Sequence, residues 1–114
     1  MIDNEVTKVV LLQAIEGEAG LWELVWELNT IDPAGEAAQH QERAAAVLGE
    51  QVARGWVDLF YSNEPDGALI PIPRSETAKV LGDPQAWEEP RPGGRSIRVS
   101  ATPAGDAAYR TMGR

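Results

Sequence analysis

Few residues of this chain could carry covalent chemistry. It has one histidine, His40, and no cysteine. That composition excludes a cysteine nucleophile, a thiolate metal site, a disulfide framework and most nucleophile–base pairs. The glycine pair in "PGGR" (residues 92–95) lacks the lysine and the strand-to-helix setting of a phosphate loop. The Glu23 and Glu27 carboxylates stand one helical turn apart on an outer face, with no pocket expected around them. The chain therefore reads as a protein that binds rather than catalyses, without metal or cofactor. What remains is charge and aromatic surface. Arg91, Arg95 and Arg98 cluster in "PRPGGRSIR", with Arg74 and Lys79 nearby in sequence. A loop so composed, carrying Gly93 and Gly94, suits a phosphate backbone or a minor groove. Glu88 and Glu89 directly precede it and could neutralise it internally. Trp22 and Trp26, spaced i to i+4, read as core, and as partner anchors wherever their surface stays exposed. Trp87 is a third candidate anchor. His40 reads as a solvent-facing helix residue.

Those side chains need a scaffold. At 114 residues the chain is the size of a single domain, residues 1–114, and long enough for one core. Its net charge of −8 is unevenly placed. Residues 1–69 carry 13 acids against 3 bases, whereas residues 70–114 carry 5 acids against 7 bases. An acidic body weakens nonspecific attraction to nucleic acid, which depends on neutralising phosphates. The opening "MIDNEVTKVV" has no basic start before an apolar run, so no signal peptide is expected. No apolar run approaches the roughly 20 residues of a membrane span. The expectation is a soluble cytoplasmic protein without membrane contact.

Periodicity supplies the elements. Val6, Val9 and Val10 follow helical spacing in the first segment. "LWELVWELN" places Leu21, Trp22, Val25, Trp26 and Leu28 on one stripe of a second helix. Asp32 and Pro33 form a cap-plus-proline start for a third helix, although Gly35 allows the regular turns to begin nearer Glu36. Ala44, Leu48 and Val52 then recur every four residues, and Gly55 serves as a left-handed stop. "WVDLFYS" has strand composition with Asp58 pointing outward. "NEPDG" (63–67) is a turn, and "ALIPIP" is an extended segment that its prolines confine to an edge. Ser75 caps a short helix closed by Gly82, and Asp83–Pro84 begin a turn of helix carrying Trp87. "SIRVSA" alternates Ile97, Val99 and Ala101 inward. Thr102 and Pro103 open a last helix.

Two phrases carry a resemblance. In "VLGEQVARGWVDLFY" the third helix turns at a glycine into a strand. "VSATPAGDAAY" is similar to the "T-x-x-G-x-x-x-Y" phrase with which many small bacterial winged-helix regulators leave the second wing strand. With the order of elements, they make the chain resemble a winged helix-turn-helix domain, of no one family. The implied fold is α+β, a three-helix bundle plus a two-stranded β-hairpin and a C-terminal helix. It departs from that pattern in an enlarged helical wing insertion, about residues 63–95. The resemblance implies that the third helix meets base edges in the major groove. The matching residues are Gln39, His40, Gln41 and Arg43, glutamine suiting adenine and arginine guanine. It also implies that the terminal helices pair two copies. Against the groove reading, Glu36, Glu42 and Glu50 outnumber Arg43 and Arg54. Two functions of different class follow. The first is a non-catalytic protein-interaction or regulatory module, contacting a protein partner or a second copy through an acidic body and basic wing. The alternative is a sequence-specific DNA-binding transcriptional regulator using the third helix and the wing.

Overall fold

The computed structural model describes residues 3–63, 68–91 and 93–112. Helix α1 (Asp3–Glu16) turns its Val6, Val10, Leu11 and Ala14 into the core. A two-residue strand, β1 (Ala19–Gly20), leads directly into α2 (Leu21–Ile31). The start of α2 is tied by the Gly20 amide, which donates to Glu23 Oε1 at 2.8 Å. Its buried stripe is Leu21, Leu24 and Leu28, spaced i, i+3, i+7. The expected stripe through Trp22 and Trp26 is therefore corrected. Those two rings leave the helix on the side opposite Leu24 and Leu28.

Helix α3 (Ala37–Ala53) begins after Glu36, the later of the two expected starts. Asp32 does not cap it. Asp32 closes α2 instead, its amide donating to the Leu28 carbonyl at 2.9 Å, and its own carbonyl accepts from Gly35 in the intervening turn. The inward stripe of α3 holds Ala44, Leu48 and Val52 as expected, and extends back by one step of four to His40. At the far end Gly55 adopts φ +77°. Gly55 donates to the Val52 carbonyl and Trp56 to the Gln51 carbonyl, at 3.0 and 2.9 Å. That pair of bonds is the Schellman closure, which favours glycine because a side chain crowds the left-handed backbone.

The chain then enters an antiparallel sheet. Strands β2 (Val57–Asn63), β3 (Ala68–Pro71) and β4 (Arg95–Ala101) join β1 in the order β1-β4-β2-β3. The expected pairing of "WVDLFYS" with "SIRVSA" is present, with Leu59 opposite Val99. The "ALIPIP" segment forms the outer edge. The sheet is thus four-stranded rather than a two-stranded hairpin, because β1 and β3 extend it on both sides. Of the "NEPDG" turn, residues 64–67 lie outside the described residues. Alternation sets the two faces. Val57, Leu59, Ile97 and Val99 are buried against the helices, while Asp58, Phe60, Arg98 and Ser100 point the other way and stay partly exposed.

The connection between β3 and β4 folds back onto the bundle. Helix α4 (Thr77–Leu81) packs beside α3, and a 3-10 turn at Pro84–Trp87 follows. Asp83 caps that turn, its carboxylate accepting from the Gln85 amide at 3.0 Å. Trp87 is buried, and its indole donates to the Leu81 carbonyl at 3.0 Å. This ring is the plug that anchors the long connection, so it is a core residue rather than a partner anchor.

Helix α5 (Pro103–Met112) closes the chain against α1 and β4. The Thr102 hydroxyl accepts from the Gly105 amide at 3.1 Å, the expected cap. The same hydroxyl donates to the Gly55 carbonyl at 2.6 Å, with the Trp56 carbonyl 3.1 Å away. The Trp56 carbonyl accepts from the Thr102 amide at 2.8 Å. Gly105 makes the approach possible, since a Cβ there would sit 2.1 Å from that carbonyl oxygen. The two phrases "RGW" and "ATPAG" are thus halves of one joint, locking α5 across the reversal after α3.

Candidate interaction surfaces

Helix α3 presents outward a stripe of Gln39, Glu42, Ala46, Glu50 and Ala53, all exposed. It holds two carboxylates and no base. Gln39 is turned to its own helix start, its Oε1 accepting from the Glu36 amide at 3.4 Å. Gln41 is half-buried. Arg43 leaves the side of the helix and reaches the Asp32 carboxylate at 3.0 Å. Arg54 pairs with Glu50 at 2.7 Å one turn away.

His40 is not at the surface. It is fully buried, and its Nε2 donates to the Asp32 carbonyl at 3.1 Å, with Nδ1 unpartnered. The ring also packs against Gly35, where a Cβ would come within 2.6 Å of it. Both the solvent-facing reading and the base-contact role are overturned. The cause is the phase of α3, which puts His40 in line with Ala44 and Leu48. Here the imidazole seals the turn between α2 and α3.

The arginines grouped in sequence separate in space. Arg95 and Arg98 stand three apart on β4 and so leave opposite faces of the sheet. Arg95 lies over the Tyr61 ring at 4.3 Å on the helix-facing side. Arg98 crosses the other face toward β1, where it donates to the Glu18 carbonyl at 3.0 Å and approaches Glu23 at 3.6 Å. Its guanidinium stacks on Trp22 at 4.9 Å. Arg74 sits 3.7 Å from Asp58. Arg91 and Lys79 are exposed and make no ion pair among the described residues. The expected basic wing is therefore a set of separately engaged cations with two outward exceptions.

Three other surface features stand out. Between α3 and α4 runs an open groove of about 530 Å³, floored by Ala45, Ala46 and Gly49 facing Ala78, Leu81 and Gly82. Val9, Leu12 and Tyr109 line a smaller one of about 380 Å³ between α1 and α5. On α2, Trp22 is half-buried against Gly20 under Arg98, while Trp26 is 56% exposed. Sequence spacing marked both tryptophans; it did not show that they face away from the core.

Among the described residues, no three His, Cys, Asp or Glu side chains converge to hold a metal ion. No helix of the described residues is long and apolar enough to cross a membrane. Compared with protein-family models, curated proteins and solved structures, the chain finds no match.

Proposed function

We propose that this chain is a non-catalytic, winged-helix-like module that works by contacting another protein or a second copy of itself. The order of three helices, strand, inserted connection, strand and helix supports the winged-helix reading, as does the joint between the "RGW" and "ATPAG" phrases. One observation carries the functional reading. The outward stripe of α3, which a DNA reader would place in a groove, bears Glu42 and Glu50 and no cation. Two carboxylates facing phosphates would repel them, and a reader gains affinity by the opposite arrangement. The engagement of Arg43, Arg74 and Arg98 by carboxylates within the molecule points the same way.

A mobility-shift titration on duplex DNA at low salt tests this. The expected result is no shift. A complex that weakens steeply with added salt, and is lost when Lys79 and Arg91 are both replaced by alanine, would overturn the reading.

A further inference from the structure

Three arginines of this molecule share one habit. Arg54, Arg95 and Arg98 lie over the rings of Trp56, Tyr61 and Trp22 at 5.1, 4.3 and 4.9 Å. Each distance falls within the roughly 6 Å at which a ring face attracts a cation. Trp26 stands one turn beyond Trp22 on the same outward stripe of α2. At 56% it is the more exposed of the two large apolar side chains left open among the described residues, Ile70 being 42% exposed. No cation of the described residues lies over it.

Its surroundings favour one. Helix α2 carries Glu23 and Glu27 and no base. Residues 1–36 hold eight acids against Lys8 alone. Glu23 already draws Arg98 toward Trp22. Glu27 pairs with no cation among the described residues, and the open indole repeats, without its guanidinium, the arrangement of ring and Glu23 carboxylate that Arg98 completes one turn earlier.

We propose that Trp26, with Glu23 and Glu27 beside it, docks an arginine-bearing segment of a partner protein. The assignment rests on the protein-interaction reading above. The partner's guanidinium lies on the Trp26 ring as Arg98 lies on Trp22, and its remaining donors meet carboxylate oxygen. Arginine fits better than lysine because its planar group stacks on a ring while its N–H fork still faces a carboxylate. Trp22 cannot serve in the same way, since Arg98 already covers it. A polyanion is the wrong partner, for the negative charge of this half of the chain repels it.

The test titrates the isotope-labelled full chain with an acetylated peptide of alternating arginine and glycine, following the indole N–H resonances by NMR and the affinity by calorimetry. A matched peptide with citrulline for arginine removes the charge and keeps the shape. The Trp26 indole is expected to shift before those of Trp22, Trp56 and Trp87. Trp26→Ala is expected to weaken binding about tenfold, Trp26→Phe less, and the citrulline peptide should not bind. An unmoved Trp87 resonance in Trp26→Ala shows that the core is intact. No binding of the arginine peptide overturns the assignment. So does Trp26→Ala binding within about twofold of the unaltered chain, or equal binding of the citrulline peptide. Duplex DNA run against the same samples separates the two failures. A DNA complex untouched by Trp26→Ala defeats the interaction reading itself, whereas equal peptide binding by Trp26→Ala defeats only the docking site.

Discussion

Replacing Gly105 by alanine is expected to destabilise the domain, although in an ordinary helix the same change is favourable by up to about 1 kcal/mol. The reason lies in the joint between α5 and the reversal after α3. An added Cβ would stand 2.1 Å from the Trp56 carbonyl oxygen, 2.9 Å from its carbon and 3.2 Å from its Cα. All three are backbone atoms, so no side chain can swing away. Helix α5 would have to retreat by roughly 1 Å to reach ordinary contact, as overpacked sites do at about 1–3 kcal/mol. The retreat lengthens the bond from the Thr102 hydroxyl to the Gly55 carbonyl, now 2.6 Å. Its loss costs about 1 kcal/mol more. Against the propensity gain, the net is about 2 kcal/mol of destabilisation. Urea unfolding followed by circular dichroism measures it. Thr102→Val supplies the second arm: alone it removes both the cap and the bond to the Gly55 carbonyl, about 2 kcal/mol together, but added to Gly105→Ala it should cost only the cap, about 1 kcal/mol. A Gly105→Ala protein as stable as the parent, or strictly additive costs, would refute the joint.

Other positions give sharper contrasts. Gly49 lies inside α3 with open space where a Cβ would go, so Gly49→Ala should raise stability by about 0.5–1 kcal/mol in the same assay. Gly55→Ala should lower it by about 1–2 kcal/mol, because φ is +77° there. His40→Ala should cost about 2–4 kcal/mol, since it opens a cavity and strips a donor from the Asp32 carbonyl. A loss below about 0.5 kcal/mol would mean that the imidazole is not structural. Arg43→Ala breaks a partly exposed pair with Asp32 and should cost no more than about 1 kcal/mol.

The local grammar of the chain reads directly. Gly55 at a helix end, Thr102 before Pro103, and the four-residue recurrence of Ala44, Leu48 and Val52 each name their own conformation. They do so because caps, left-handed stops and helical phase depend on neighbours within one or two turns. The same recurrence, continued back one step, points to His40 as an inward residue; its polarity masks the signal. Helix α2 shows where such reading ends. Leu21, Leu24 and Leu28 make one apolar stripe, and Trp22 with Trp26 makes another almost opposite. Periodicity fits both, and only the packing of α1 and α3 against the leucines decides between them.

The acidic bias, the absence of thiol chemistry and the helix and strand boundaries near Gly55 and Thr102 belong to the sequence alone, for composition and short-range capping suffice to determine them. Tertiary structure decided the destinations of the charges. Arg98 meets Glu23 because the short β1 joins the edge of β4, and Arg74 meets Asp58 because β3 runs antiparallel to β2 and carries the residues just past its end back beside the start of that strand. Arginines adjacent in sequence part because a strand sends neighbours to opposite faces. Side-chain pairing at long sequence separation follows from register and packing, not from local preference. For that reason the surface chemistry of this protein, with acids outward on α3 and an open tryptophan on α2, appears only in the folded chain.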